Sequence, residues 1–137
     1  MLPRYVRDLM TSKVVTLRAE ENVSSFRDVL YDHGFRHVPV VDSEGYLVGL
    51  VTERDLLRNV LTDQADIPIS VREEIMYSTQ IGDIMIQDVQ TVEPDDLLPH
   101  AAQIMLENKF GCVPVTDGDL LVGILTESDF IRFFTES

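Results

Sequence analysis

The chain reads VPVVD at residues 38–42 and GLVTERD at residues 49–55, and it repeats this pattern as VPVTD at residues 113–117 and GILTESD at residues 123–129. The copies are 75 residues apart from Asp8 and Asp83 onward, and 74 apart after a turn that is one residue shorter in the second copy. A period held over most of a chain is typical of two copies of one supersecondary unit that bury their apolar faces together. We therefore expect the functional site where the copies meet.

The pattern predicts a first repeat at residues 1–62, a connector at residues 63–79 and a second repeat at residues 80–137. A unit of about 60 residues alone would be only marginally stable, so we expect the repeats to fold as one pair. Each repeat follows the order strand, helix, strand, strand, helix. The first has strands at 14–17, 36–41 and 46–52 and helices at 22–33 and 56–61; the second has strands at 89–92, 112–116 and 120–126 and helices at 98–108 and 130–134. In the connector, residues 70–76 predict an extra helical turn.

Apolar strands such as LVGLV at residues 47–51 predict burial on both faces, under covering helices, and hence an α/β fold.

A net charge of −13 argues against a nucleic-acid partner, because phosphate binding requires clustered Lys and Arg. Residues 1–60 have a net charge of −1 and residues 61–137 have a net charge of −12, so small anions should prefer the first repeat.

The sequence has no signal peptide, no membrane-length apolar run and one cysteine, Cys112. We therefore expect a cytoplasmic protein without membrane contact.

The residues TERD at 52–55 and TESD at 126–129 each lie where a buried strand is followed by a helix. One explanation is helix capping alone, with Thr as the N-cap and an acidic residue three positions later. The other adds a ligand: a helix N-terminus with a Thr hydroxyl suits a phosphate, and a carboxylate suits the paired hydroxyls of a ribose. Gly49 and Gly123 would then admit a ligand close to the strand, unless they serve a bulge or packing.

The paired motif G-h-h-T-x-x-D, the preceding VPV, and the openings DLM at residues 8–10 and DIM at residues 83–85 together resemble a tandem cystathionine-β-synthase-type (CBS) domain pair. The resemblance covers roughly residues 5–62 and 80–135. It implies an α/β fold of two β-α-β-β-α repeats packed through their sheets about a pseudo-twofold axis. It also implies two clefts for an adenosine-containing ligand: AMP, ADP, ATP, S-adenosylmethionine or NAD.

The resemblance implies a role for twelve residues. The motif Asp binds ribose and the motif Thr binds phosphate, while backbone beside the first strand and the VP pair contacts the base. Arg36 and His37 resemble a basic pair that contacts phosphate in some members, and the second repeat has Gly111 and Cys112 there. We therefore expect a single bound nucleotide to occupy the site with Arg36, His37 and Asp55. The implied binding residues are Thr16, Arg36, His37, Val38, Pro39, Thr52, Asp55, Thr91, Val113, Pro114, Thr126 and Asp129.

We expect a stand-alone regulatory module for energy or metabolite sensing that passes ligand occupancy to an unknown protein partner. The alternative is a ligand-free dimerisation or protein-interaction module. The sequence has no nucleophile elbow, P-loop or metal-ligand pair, so we expect no enzyme activity, no catalytic cofactor and no metal.

The resemblance implies a homodimer, with contacts from the closing helices at residues 56–61 and 130–134.

Overall fold

The structure, a computed structural model, describes residues 2–59 and 68–136. It has the α/β class that the sequence predicts. The strands are β1 (Leu17–Arg18), β2 (His37–Val41), β3 (Leu47–Thr52), β4 (Cys112–Asp117) and β5 (Leu120–Thr126). The helices are α1 (Val6–Leu9), α2 (Val23–His33), α3 (Glu53–Asn59), α4 (Ile69–Ser78), α5 (Ile81–Ile84), α6 (Leu98–Asn108) and α7 (Glu127–Glu136).

One sheet has the order β1-β2-β3, with β1 parallel to β2 and Leu17 opposite Val40. The other pairs β4 with β5 in antiparallel register, Cys112 opposite Thr126. Val92 adds a single parallel bridge to Val115, the pair that corresponds to Leu17 and Val40 in the first repeat. The two repeats therefore use the same register.

The first strand of each repeat is shorter than predicted. Residues 14–17 were predicted as a strand, yet β1 covers Leu17–Arg18; residues 89–92 were predicted as a strand, yet only the bridge at Val92 forms. Pro39 and Pro114 lie in the facing strands, and proline has no N–H to extend a ladder. A run of β-branched residues predicts a longer first strand, but the proline in the facing strand limits how far the pairing extends.

The described residues divide into two compact units. We call them the first-repeat unit, within residues 15–44 and 48–89, and the second-repeat unit, within residues 1–14, 45–47 and 90–137. Each unit contains the opening helix of the other sequence repeat. In the second-repeat unit, Thr11 forms two backbone hydrogen bonds with Ile124, both 2.9 Å; in the first-repeat unit, Ile86 bonds Leu50 at 2.8 and 2.9 Å. The repeat boundaries remain a prediction from sequence, and the compact units follow a different division.

The opening helices α1 and α5 were not predicted, because four-residue helices leave almost no periodicity in a sequence. Asp8 caps α1: its Oδ2 accepts the N–H of Tyr5 at 3.0 Å and that of Arg4 at 3.1 Å. Hydrogen bonds from these N–H groups, Tyr5 first, hold the pKa of Asp8 below its usual range. Helix α2 is capped by Asn22 and ends at Gly34 in the left-handed conformation, as predicted.

Each unit has its own apolar core. Helices α1 and α5 each contribute to the core of the unit in which they pack, through Val6 and Ile81, both 0% exposed. The first-repeat core contains Leu17, Val23, Phe26, Val38, Val40, Val51, Leu56, Met76, Ile81 and Ile84. The second-repeat core contains Val6, Val92, Ala101, Ile104, Met105, Val113, Val115 and Leu125.

Helix α4 is longer than the single turn predicted for residues 70–76, since it covers ten residues. It packs against α2, where the Arg27 guanidinium bonds the Glu73 carboxylate at 2.6 Å, and it buries Met76 to 4% exposure. Residues 60 and 61 of the predicted closing helix and residues 63–67 of the predicted connector lie outside the described residues. In the described ranges, no helix has both the length and the apolar character needed to cross a membrane.

Candidate functional site

The first motif forms a reciprocal cap at the start of α3. The Thr52 N–H donates to Asp55 Oδ2 at 3.0 Å, and the Asp55 N–H donates to Thr52 Oγ1 at 3.1 Å. The Thr52 hydroxyl also donates to Asp55 Oδ2 at 2.8 Å. This arrangement is a capping box with Asp in the position that Glu usually takes. The cap that both explanations of the motif require is therefore present at Thr52 and Asp55.

The second motif repeats the cap at the start of α7. The Thr126 N–H donates to Asp129 Oδ2 at 2.8 Å, and the Asp129 N–H donates to Thr126 Oγ1 at 3.3 Å. Asp129 is 3% exposed, and its Oδ1 accepts the Thr11 hydroxyl at 2.9 Å and the Arg132 guanidinium. The second carboxylate is therefore held by three side chains of the second-repeat unit.

The residues predicted to contact a base lie beside these motifs in the sheets. In the first-repeat unit, half-buried Thr16 precedes β1, and Val38 and Pro39 are buried in β2. In the second-repeat unit, Thr91 precedes the bridge at Val92. There Val113 and Pro114 are buried in β4, and the Pro114 carbonyl accepts the Val92 N–H at 3.1 Å. The base-contact residues predicted for each repeat therefore lie together in the compact unit of that repeat.

The predicted basic pair lies next to the first motif. The Arg36 carbonyl accepts the N–H of Glu53, the residue after Thr52, at 2.9 Å. The exposed Arg36 guanidinium lies 3.7 Å from the Glu53 carboxylate. His37 begins β2 and is half-buried. These contacts place a positive charge close to the N-terminus of α3.

The equivalent place in the second repeat is occupied by Gly111. The Gly111 carbonyl accepts the Glu127 N–H at 3.0 Å, which repeats the backbone contact between Arg36 and Glu53. Gly111 has a φ of +75°, and a Cβ there would lie 3.0 Å from the Glu127 carboxylate. An L side chain would be strained in this backbone conformation, so the second repeat has no basic side chain at the position of Arg36.

Gly49 and Gly123 make room for protein rather than for a ligand. A Cβ on Gly49 would lie 2.5 Å from Met85 Sδ, and one on Gly123 would lie 2.7 Å from Met10 Sδ. The carbonyls of the residues that follow these methionines are also close, at 2.9 and 3.1 Å. The idea that these glycines admit a ligand is therefore wrong, and the packing alternative is correct.

A cleft of about 340 Å³ opens beside the second motif within the second-repeat unit. Two of its residues, Thr11 and Arg132, bind the Asp129 carboxylate and were not among the predicted site residues. The spacing T-x-x-D-x-x-R, which also ends at Arg58 in the first repeat, is the signal that could have identified the arginine. The cleft is lined by Asp8, Leu9, Met10, Thr11, Asp129, Arg132 and Phe133.

Cys112 is a core residue, 1% exposed. Burial, with the nearby Glu127 charge, raises the pKa of its thiol to about 12. The thiol is therefore protonated at neutral pH and is a poor nucleophile. Within residues 2–59 and 68–136, no group of three or more His, Cys, Asp or Glu side chains could hold a metal ion.

The family model of the CBS domain matches this chain at residues 6–62 and 81–136. The chain therefore belongs to the CBS domain family and carries two copies of the domain in tandem, as its sequence motifs predict. The predicted resemblance and fold class are both confirmed by this match and by solved structures.

Three solved structures illustrate the likeness. The AcuB protein of Vibrio cholerae is 32% identical with a TM-score of 0.82, and the match covers 98% of this chain and 93% of that one. The protein CBSX2, in complex with AMP, is 27% identical with a TM-score of 0.81, covering 98% of both chains. The CBS domain pair of protein MJ0100, in complex with 5′-methylthioadenosine and S-adenosyl-L-methionine, is 26% identical with a TM-score of 0.78, covering 98% of both chains.

Two curated relatives are longer proteins than this chain. An uncharacterized protein of Methanocaldococcus jannaschii is 30% identical over 93% of this chain but only 41% of its own length. A homoserine O-acetyltransferase of Methanococcoides burtonii is 30% identical over 93% of this chain and 23% of its own length. The chain thus spans less than half the length of these two relatives.

Proposed function

We propose that the chain is a regulatory module that binds an adenosine-containing ligand and passes its occupancy to a protein partner. The observation that carries this proposal is the pair of T-x-x-D motifs at equivalent strand-to-helix junctions. In each motif the Asp is fixed by its Thr, at 2.8–3.0 Å to Thr52 and 2.8–3.2 Å to Thr126. A carboxylate held in one orientation loses little freedom when it binds a ribose diol.

The ligand class is supported by the solved structures named above, one with AMP and one with 5′-methylthioadenosine and S-adenosyl-L-methionine. These compounds share an adenosine group and differ in their charged parts. We therefore propose an adenosyl ligand of the AMP, ADP, ATP, S-adenosylmethionine or NAD class. We assign no catalytic role to the chain and no catalytic cofactor.

The residue roles follow the motif. Asp55 and Asp129 would bind ribose hydroxyls, and Thr52 and Thr126 would lie near phosphate at the helix N-termini. Thr16, Val38 and Pro39, with their equivalents Thr91, Val113 and Pro114, would contact the base through backbone atoms. Arg36 and His37 would attract phosphate, so we expect a single bound nucleotide to occupy the site with Asp55.

Titration calorimetry with AMP, ATP, S-adenosylmethionine and NAD tests the proposal. We expect at least one compound to bind the natural chain and to lose affinity at least tenfold with Asp55→Asn combined with Asp129→Asn. Asp88→Asn is the matched control, because Asp88 is exposed and outside both motifs. Circular dichroism confirms that each variant is folded.

Two outcomes count against the proposal. At 100 times its dissociation constant a ligand adds about 2.7 kcal/mol of stability, so a panel that leaves the melting temperature unchanged would exclude these ligands. Loss of nucleotide binding in Asp129→Asn, with full binding in Asp55→Asn, would contradict the preferred site.

A ligand-free dimerisation or protein-interaction module is the second candidate. Apolar side chains on the two closing helices favour it, since Leu57 of α3 is 50% exposed and Ile131 and Phe134 of α7 are 61% and 74% exposed. These side chains would also serve as contacts in a ligand-binding homodimer. The nucleotide panel therefore separates the two candidates better than a measurement of oligomeric state.

A further inference from the structure

The Asp129 carboxylate has no acceptor site left for a ligand. An ionised carboxylate has about four lone-pair positions on its two oxygens. At Asp129, Oδ2 accepts the N–H and the hydroxyl of Thr126, while Oδ1 accepts the Thr11 hydroxyl and the Arg132 guanidinium. A ribose diol that donates to this carboxylate must therefore displace a donor that already binds it.

Of the three residues that donate to the Asp129 carboxylate, Arg132 is the one whose side chain is exposed to solvent. The Thr126 N–H is fixed by the backbone at the start of α7, and the Thr11 backbone is held by its two bonds to Ile124. The Arg132 side chain is 58% exposed, whereas that of Asp129 is 2% exposed. A guanidinium with this exposure regains water when it leaves, so the cost of displacing it is small.

The cleft gives a ligand access to this contact. Thr11, Asp129 and Arg132 all line the same opening of about 340 Å³, and Phe133 contributes an aromatic ring to its wall. The pair of Arg132 with Asp129 thus faces the space that a ligand would enter. Water or a diol in the cleft competes directly with the guanidinium.

We propose that Arg132 is a latch on the ligand site of the second repeat, and that a ribose diol reaches Asp129 only when the guanidinium moves away. This inference rests on the proposed function. A ligand shifts such an equilibrium only by its different affinity for the two arrangements, and the diol supplies that difference because it replaces the Arg132 hydrogen bond. The latch selects against compounds that lack a diol, since they cannot replace the hydrogen bond that Asp129 loses when Arg132 moves away.

The test is calorimetry with adenosine and AMP, each beside its 2′,3′-dideoxy analogue. All variants carry Asp55→Asn, so that the second-repeat site dominates the signal. We expect Arg132→Ala to raise the affinity for adenosine and AMP roughly two- to fivefold, the range set by an exposed ion pair. The affinity for the dideoxy analogues should stay the same. Arg132→Lys keeps a cation in the same place and should restore the weaker affinity. Arg58→Ala, three residues after Asp55, is the matched control and should change nothing.

Unchanged or weaker diol binding in Arg132→Ala would overturn the latch, and so would an equal gain for the dideoxy analogues. If the chain with Asp55 intact binds AMP or adenosine but no Asp55→Asn variant does, the latch fails and the proposed function stands. If no variant binds any of the compounds, even with Asp55 intact, the proposed function fails for this ligand class and the latch fails with it.

Discussion

At the scale of single residues, the two motif glycines have a structural task that their sequence context does not reveal. Gly49 and Gly123 leave space for the side chains of Met85 and Met10, which follow the short opening helices. The motif thus combines two kinds of residue. Thr and Asp fix a carboxylate at a helix start, and the glycine three residues earlier allows the opening segment to pack on the strand.

We expect Gly49→Ala to destabilise the protein by roughly 1–3 kcal/mol, the usual cost of overpacking a core. The added Cβ would lie 2.5 Å from Met85 Sδ and 2.9 Å from the Ile86 carbonyl, so neither neighbour can stay where it is. Urea unfolding measures the change. A double-mutant cycle with Met85→Ala provides the control: because the sulfur is the nearest atom, the two costs should not add, and strictly additive values would contradict this contact.

At the scale of elements, the opening helices are the main departure from a simple tandem repeat. Helix α1 packs in the second-repeat unit, where Tyr5 pairs with Leu97 and Thr11 with Ile124. Helix α5 makes the equivalent contacts in the first-repeat unit. The second-repeat unit therefore joins segments that are distant in sequence, whereas the first-repeat unit lies within residues 15–89, and each core is incomplete without its borrowed helix.

Val6→Ala should lower the free energy of unfolding by roughly 2 kcal/mol, from two lost methyl groups and the cavity they leave. Val6 is 0% exposed and contacts the second-repeat core. Leu2→Ala, in the same segment but 77% exposed, is the control and should have little effect. Equal effects of the two substitutions in thermal or urea unfolding would show that α1 is not part of that core.

Much of this architecture could be predicted from sequence, for identifiable reasons. The strands β2 to β5 and the helices α2 and α6 have clear apolar patterns, and Gly34 marks a helix end by its left-handed conformation. The capped motif residues followed from their spacing. The exchange of the opening helices could not be predicted, because a repeat shows which segments are equivalent and not which copy they contact. The role of Thr11 depends on that exchange, whereas the Arg132 contact is local to α7 and follows the T-x-x-D-x-x-R spacing.

At the scale of the whole molecule, charge and apolar surface are unevenly distributed. The net charge of −13 lies mostly in residues 61–137. In the same part of the chain, Ile131 and Phe134 lie three residues apart on α7, hence on one face of the helix, and are largely exposed. A face of this kind commonly contacts a partner, and we expect a second copy of the chain.

We expect a homodimer at micromolar concentration, and Ile131→Glu with Phe134→Glu should convert it to a monomer, because four like charges would meet in a homodimer contact. Sedimentation velocity gives the oligomeric state. Leu106→Glu is the control, since Leu106 is 72% exposed on α6, outside the proposed surface. A natural chain that sediments as a monomer would remove the dimer from the proposal.

The exchange of the opening helices also sets the order in which the protein can fold during synthesis. The first-repeat unit lies within residues 15–89, so its segments can pair before the second-repeat unit is complete. Helix α1 emerges first, yet its partners Leu97 and Ile124 are made about 90 and 110 residues later. Helix α1 must therefore wait until β5 has been made, and a nascent chain that has not yet reached β5 carries an unpaired α1, a form that chaperones recognise.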